Sequence, residues 1–352
     1  MAKPKKEFNI GLVGCGTIAD THAEAIAETE YGRLVSAFSR TESNLATFCN
    51  KFEVKGYSDY QKFLAGGDLD VVVVCTPSGT HLDYGSEAAE AGKYLIIEKP
   101  IEVSLDRARG LIDRCQKNEV KLAVIYQNRF IEDVKKLKSI MDEGALGKIV
   151  MVDASVKWFR DQEYYDSAGW RGTLSLDGGG AVINQAIHTV DLLLCLCGDV
   201  ESLQAYKDTL THKRIEGEDN AVASLRFKNG AIGVFKASTS IVPPQNRAIE
   251  IHAEKGTAYL DGDRLKLRGT DLNDEEKAKT EESSGAGASS PMAGMSKNNH
   301  KKQYDQILPA FLNDNKPVVS GEDSLKSLAF VEGLYLSAEE KRAVYPDTLL
   351  AG

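Results

Sequence analysis

A short apolar run, Phe8-Asn-Ile-Gly-Leu-Val13, leads at once into Gly14-Cys-Gly-Thr-Ile-Ala19 and then into a helical stretch that reaches about Thr29. Strand, G-x-G-x-x-A, helix is the most constraining pattern in this chain. Gly14 permits the tight turn, and Gly16 lets backbone N–H groups come close to a ligand. Ala19 stands where only small size is needed for close helix–strand packing. Phosphates placed at the helix N-terminus would use its unpaired donors and its dipole. The pattern therefore points to a dinucleotide held by Gly14, Gly16, Thr17 and Ile18, against the bland alternative of a plain turn.

The residues that follow keep an alternating strand–helix rhythm. Strands read at 34–38, 70–75, 94–97 and 121–126, with helical patterns at 43–52, 60–65, 82–91 and 105–118 and Gly92 as a helix stop. This is a doubly wound α/β sheet. The tip of the second strand carries Ser39, Arg40 and Thr41 and no carboxylate. An acidic residue there would hold an adenosine ribose and repel a 2′-phosphate. Arg40 with two hydroxyls suits a phosphate and leans towards NADP; Arg40 stacked on adenine would suit NAD equally. The strand 70–75 is apolar almost throughout and ends in Thr76-Pro77-Ser78-Gly79-Thr80-His81, at the strand end where open α/β sheets bind ligands. His81 either touches the cofactor or packs the next helix.

Tyr94-Leu-Ile-Ile-Glu-Lys-Pro100 sets Lys99 where a buried strand emerges. A Lys there is paired or placed for chemistry, since desolvation lowers its pKa and opens proton transfer. A surface Lys in a proline turn is the even alternative. Pro100 keeps the preceding residue out of helical angles and is able to take the cis form.

From about Gln127 the rhythm changes, which divides the chain into 1–127 and 128–352. A helix reads at 131–143. A long strand follows at 149–159, with Val150, Val152, Ala154, Val156 and Trp158 on one face, and further strands read at 221–227, 231–240, 248–253, 256–260 and 265–268. Tight turns such as Asn229-Gly230 make this a mostly antiparallel sheet with one open face, a surface that commonly dimerises. Asp177-Gly-Gly-Gly180 introduces a helix on which Asn184, His188 and Asp191 recur at i, i+4 and i+7 and share a stripe. His188 suits reversible proton transfer, or else is a structural helix histidine; no second histidine gives it metal-ligand spacing. Residues 271–299 read as a charged, then Gly/Ser/Ala-rich excursion, and 300–312 and 324–339 as amphipathic helices. His300 and Gln303 open the first of these and face either the site or solvent.

The net charge of -9 argues against nucleic acid and anionic membranes as partners. Six scattered cysteines (15, 49, 75, 115, 195 and 197) fit free thiols in a reducing compartment. The start lacks a signal-peptide core and no apolar run is long enough to span a bilayer, so a soluble, cytoplasmic protein is expected.

Gly14-Cys-Gly-Thr-Ile-Ala, Thr76-Pro77 with His81, Glu98-Lys99-Pro100 and Gly178-Gly-Gly…His188…Asp191 together resemble the glucose–fructose oxidoreductase/inositol dehydrogenase family (Gfo/Idh/MocA) over nearly the whole length. The resemblance implies a Rossmann domain, a C-terminal domain for substrate and oligomerisation, and homodimers or homotetramers formed through its sheet. It implies hydride transfer between NAD(P)(H) and a carbinol carbon of a sugar, glycoside, nucleotide sugar or cyclitol. The family's Lys of Glu-Lys-Pro anchors the reacting hydroxyl, and an Asp–His pair assists the proton. Lys99 and His188 match, but the usual Asp is Asn184, which shifts the role of base to His188. Asn184-Gln185 with His188 looks like the branch of pyranoside 3-dehydrogenases. Asn184, Trp170, Arg171, Asp191 and Arg129 are expected at the substrate; Ser39, Arg40, Thr76, Pro77, His81, Glu98, Lys99, Gln127 and Asn128 join the glycine turn at the cofactor. Some proteins of this fold cleave glycosides with the same cofactor, and others are sugar sensors.

Overall fold

The computed structural model describes residues 7–66, 68–269 and 297–351; the expected excursion from 271 onwards lies outside them as far as residue 296. Two compact units emerge.

The first unit holds six strands, β1 (Phe8–Val13), β2 (Gly32–Phe38), β3 (Lys55–Tyr57), β4 (Val71–Val74), β5 (Tyr94–Ile97) and β6 (Leu122–Val124). All are parallel, in the order β3-β2-β1-β4-β5-β6. The four valines of β4 are all buried, as both faces of the sheet are covered by helices. The order reverses between β1 and β4, and at such a switch point the strand ends diverge and leave a crevice. β3 was not expected: it is a three-residue, mostly exposed edge strand without an apolar run.

This unit runs to Gln127 and then takes in the chain from the helix Lys297–Leu312 as far as Leu325, which corrects the reading of 128–352 as one domain. The reason is packing. Tyr304, Ile307, Leu308 and Phe311 of that helix share one core with Ile10, Leu12, Ala19 and Ile26. Gln303 faces neither site nor solvent: its side chain accepts from Tyr126 N (3.1 Å) and donates to Val124 O (2.8 Å). Val124 N in turn donates to Val319 O, so the β6 edge is covered rather than left open.

The second unit begins at Asn128 and resumes at Lys326. Its seven strands are β7 (Ile149–Lys157), β8 (Val200–Asp208), β9 (Asn220–Phe227), β10 (Ile232–Ser238), β11 (Ala248–Ala253), β12 (Gly256–Asp261) and β13 (Arg264–Gly269), in the order β13-β12-β11-β7-β10-β9-β8. Only the β7–β10 pair is parallel. Val152, Ala154 and Val156 of β7 are buried on the face that packs the helix Ile187–Cys197, but Val150 is exposed and Trp158 lies beyond the strand, half-buried. Met151, Tyr206, Val222, Ile232 and Val234 are exposed hydrophobic residues on β7 to β10. Among the described residues no helix is long and apolar enough to cross a membrane.

Asp219 organises the loop between β8 and β9. Its buried carboxylate accepts the N–H groups of Leu210, Thr211 and His212 (2.8, 2.8 and 2.9 Å) and the Thr211 hydroxyl (2.8 Å). Burial alone would raise its pKa, but these bonds hold the carboxyl well below the usual range. The stability it contributes is thus present above the ordinary Asp range and is lost as pH falls through the depressed value. Asp219→Asn is expected to lower unfolding free energy by about 2–4 kcal/mol at neutral pH in urea titrations, with the deficit shrinking in acid.

Candidate active site

The ends of β1, β2 and β4 are tied together at Gly14. Its φ is +97°, its N–H donates to Phe38 O (2.8 Å), and an added Cβ would lie 2.9 Å from Cys75 O. Gly16 differs: a Cβ there would meet nothing within 4 Å. The helix Thr17–Ala27 starts at Gly16 with no side-chain cap, so no capping side chain takes its first N–H groups. Gln127 Oε1 is a buried acceptor without a hydrogen-bond partner. An uncapped helix start behind an open glycine and an orphaned amide oxygen are what a dinucleotide requires. At the β2 tip Ser39 Oγ accepts from Thr41 N (3.2 Å) and Arg40 is exposed.

Thr76 and Pro77 follow β4, braced by Thr80 Oγ1, which donates to Pro77 O (2.7 Å) and lies 2.8 Å from the Thr76 hydroxyl. His81 is 1% exposed, with Nε2 3.0 Å from Thr76 O and Nδ1 3.1 Å from Pro100 O. Its expected contact with the cofactor is corrected: both ring nitrogens face backbone carbonyls, so the ring ties the loop after β4 to the loop after β5.

Lys99 follows β5, half-buried, and the Lys99–Pro100 peptide is cis. Glu98 turns inward. Its Oε2 accepts Lys99 N–H (3.0 Å), and its Oε1 lies 2.8 Å from His22 Nε2. His22 Nδ1 is 2.8 Å from the Tyr304 hydroxyl. Burial pushes the Glu98 pKa up, but the hydrogen bond from His22, with His300 nearby at 3.8 Å, outweighs it and holds the carboxyl well below the usual range. Both Glu98 oxygens thus have partners within the first unit, one of them the Lys99 backbone. His22 and Tyr304 escape sequence reasoning, since each sits in an ordinary amphipathic helix.

In the second unit Asn184 and His188 are not on one regular α-helical stripe. Residues Ala181–Ala186 form a wide π-helical turn, and the α-helix begins only at Ile187. Such turns store irregular backbone near functional groups. This one is held by Glu218, whose carboxylate accepts Val182 N (2.7 Å), Gly180 N (3.3 Å) and the Tyr335 hydroxyl (3.2 Å). Burial pushes the Glu218 pKa up. The chains approach so closely that a Cβ on Gly180 would fall 1.9 Å from Glu218 O.

A polar network spreads from this turn. Asn184 Nδ2 donates to Asp177, and Asn184 Oδ1 accepts from Gln185 Nε2 (2.8 Å). The Gln185 side chain also donates to Tyr164 OH (2.9 Å) and accepts from Arg160 (2.8 Å). Arg171 donates to Tyr164 OH (2.6 Å). The Arg171 and Arg160 guanidinium carbons lie 4.2 and 5.5 Å from the Tyr164 ring centre, and Arg171 also covers Trp170 at 4.7 Å. Burial, then the like charge of Arg171, lowers the Arg160 pKa. Asn184, His188, Tyr164, Trp170 and Arg171 are all half-buried. Tyr164, Arg160 and Gln185 join this network without having been read as site residues; the cluster of aromatic and charged residues at 160–165 was their only trace in the sequence.

Asp191 and Arg129, both expected at the substrate, meet each other. Asp191 is fully buried and takes two hydrogen bonds from Arg129, Nε to Oδ2 (2.7 Å) and NH2 to Oδ1 (2.5 Å). This bidentate pair joins the turn at Gln127–Phe130 to the helix Ile187–Cys197.

A strand-linked glycine turn with an open helix start, on a parallel sheet of this order, defines a nicotinamide-dinucleotide-binding oxidoreductase. The comparisons agree: an oxidoreductase family with an NAD-binding Rossmann fold matches residues 8–126, and the GFO/IDH/MocA C-terminal domain matches residues 134–259. The chain belongs to the Gfo/Idh/MocA family and is an NAD-binding oxidoreductase of the dehydrogenase type. It is similar to the WlbA dehydrogenase from Bordetella pertussis, solved with NADH and UDP-GlcNAcA (32% identity, TM-score 0.87, 97% of this chain and 99% of that one). It is 28% identical over 346 residues to myo-inositol 2-dehydrogenase of Thermotoga maritima, covering 96% of this chain and 98% of the relative. It is equally 28% identical over 346 residues to D-apiose dehydrogenase of Paraburkholderia graminis, covering 96% and 90%.

Two variants test this assembly. Gly14→Ala, with its Cβ against Cys75 O, is expected to weaken NADH binding about tenfold or more in a fluorescence titration, roughly 1.4 kcal/mol. Arg129→Met leaves Asp191 buried without its partner and is expected to lower unfolding free energy by about 3 kcal/mol in urea.

Proposed function

We propose that the enzyme transfers a hydride between NAD(P)(H) and a carbinol carbon of a sugar that carries an acidic group, with a nucleotide-linked sugar acid as the best-fitting class. The observation that carries this reading is the pair of guanidinium groups on Tyr164. Arg171 pairs with no carboxylate among the described residues, and its Nε is buried without a hydrogen-bond partner. Two like charges on one ring repel, and an incoming carboxylate or phosphate turns that repulsion into a bidentate attraction. A relative solved with UDP-GlcNAcA, whose diphosphate and sugar acid are both anionic, supports the same class.

Within this reading the bound nicotinamide supplies the two-electron acceptor for hydride. Lys99 stabilises the developing alkoxide by charge and hydrogen bond. His188 removes the hydroxyl proton, directly or through Lys99. Asn184 cannot take a proton; held by Asp177, it orients the substrate hydroxyl or the imidazole. C3 of a pyranose is the carbon we assign, in keeping with Asn184-Gln185 ahead of His188. Arg40, exposed at a β2 tip without a carboxylate, supports acceptance of NADP(H) alongside NAD(H). The exposed hydrophobic residues Met151, Val222, Ile232 and Val234 on the open sheet support association with a second copy of the chain.

The test is a fluorescence titration with NADH and NADPH, followed by an absorbance screen of acidic nucleotide sugars against their neutral counterparts. Turnover is expected on the acidic members, with Lys99→Ala and His188→Ala each about 100-fold slower or more while keeping NADH affinity. Normal turnover in either variant ends the assignment of that residue, and equal turnover on neutral sugars ends the anionic class. Aglycone release without net change in nicotinamide absorbance would replace the dehydrogenase by a glycosidase. Val234→Glu is expected to reduce the molar mass seen by light scattering; unchanged mass would place the interface elsewhere.

A further inference from the structure

Beneath Lys99 the first unit contains a closed set of ionisable groups with no assigned part in binding or proton transfer. His22 lies on the helix Thr17–Ala27, and His300 and Tyr304 on the helix Lys297–Leu312; all three are 0% exposed. Cys75 follows β4 and Glu98 follows β5. An ionised carboxylate only accepts, so at 2.8 Å from Glu98 Oε1 the proton of His22 sits on Nε2. His22 Nδ1 then accepts, and the Tyr304 hydroxyl at 2.8 Å donates to it. The other Glu98 oxygen accepts the Lys99 amide. The result is one chain of hydrogen bonds in a single tautomer, running from Tyr304 to the Lys99 backbone.

We propose that Tyr304 and His22 are positioning residues: they fix the Glu98 carboxylate and, through it, the backbone from which Lys99 projects. The proposal rests on the reading of Lys99 as the group that meets the reacting hydroxyl.

The same atoms offer the donor set of a metal centre, since ligand atoms of His22, Glu98 and His300 lie within 4.8 Å of one another. Distance decides between the two. Ligands about 2.0–2.1 Å from a tetrahedral ion stand roughly 3.3 Å apart. The His22–Glu98 separation of 2.8 Å is that of a hydrogen bond. His300 acts through space, with Nε2 3.8 Å from the same Glu98 oxygen and its ring edge-on to His22 at 5.1 Å.

The groups that face Glu98 give the cluster a pH dependence. Burial pushes the His22 pKa down and those of Cys75 and Tyr304 well up, while Glu98 is held well below the usual carboxylate range. Protonating His22 would make Nδ1–H a donor and turn the Tyr304 hydroxyl from donor to acceptor, which leaves the hydroxyl proton without the partner it has at neutral pH. The neutral-pH arrangement is thus lost in acid, below the ordinary histidine range.

The experiment compares Tyr304→Phe, His22→Leu, His22→Gln and Lys99→Met in the full-length chain. Tyr304→Phe and His22→Leu are expected to lower kcat about tenfold or more with NADH affinity within about twofold. His22→Gln, whose amide N–H reaches the Nε2 position, is expected to restore most of kcat and to lack the acid limb of the pH profile. Amide exchange over 94–101 is expected to quicken in Tyr304→Phe and His22→Leu while the rest of the sheet is unchanged. Wild-type kcat and acid limb in both of those variants, with Lys99→Met inactive, overturn the proposal. Uniformly faster exchange across the sheet does so too, as it marks a merely structural role. Full turnover in Lys99→Met removes the Lys99 reading and the proposal with it. One equivalent of divalent metal by elemental analysis, absent from His22→Gln, overturns it in favour of a metal centre.

Discussion

The parallel sheet of the first unit is buried on both faces, and the chemistry of that unit follows from this one constraint. Val71–Val74 and Leu95 to Ile97 have no exposed surface. A polar side chain in these strands would be desolvated without a partner, at a cost of a few kcal/mol. Polar groups therefore collect where the strands end. Gly14 follows β1, Thr76 follows β4, and Glu98 with Lys99 follows β5. His81 then ties the last two loops together through backbone carbonyls, so Thr76, Glu98 and Lys99 are carried by a rigid sheet.

The second unit solves a different problem. One face of its sheet is covered by a helix, and its functional groups stand where that helix begins. Regular α-helical geometry would leave Gly180 and Val182 with unused N–H groups in a buried place. Glu218 takes both, and the wide turn at Ala181–Ala186 results. Asn184 and Gln185 are thereby turned into a network with Asp177, Tyr164 and Arg160 instead of continuing the stripe of His188 and Asp191. Asp191, in the next turn, pairs with Arg129.

Much of this was legible residue by residue. The glycine turn, the apolar β4, the Lys at the end of β5 and the helix bearing His188 are local patterns, read from strand period and turn chemistry within a dozen positions. β8 went unread: Val200–Asp208 alternates only in part, with a register shift between Val200 and Ser202, and no turn signal like Asn229-Gly230 marks it. The inward turn of Glu98 was not legible either. Its partners are 76 and 202 positions away, and nothing in A-D-T-H-A or N-N-H-K-K distinguishes a histidine bound for a buried carboxylate from one on a solvated face. The place of the helix Lys297–Leu312 was hidden for the same reason: its apolar stripe states that it packs, not on what.

Sequence alone determined the glycine turn, the two kinds of sheet and the family, and it singled out Lys99 and His188 as candidates for the chemistry. Period, glycine placement and residue type act over short stretches of chain, and those are written in order. Tertiary structure decided that His22 and Tyr304 hold Glu98, that Arg129 is consumed by Asp191, that Glu218 unwinds the turn at Asn184, and that Arg160 and Arg171 share one tyrosine ring. Each of these is a meeting of side chains carried by separate elements, and a buried polar group finds its partner only once packing has chosen which elements touch.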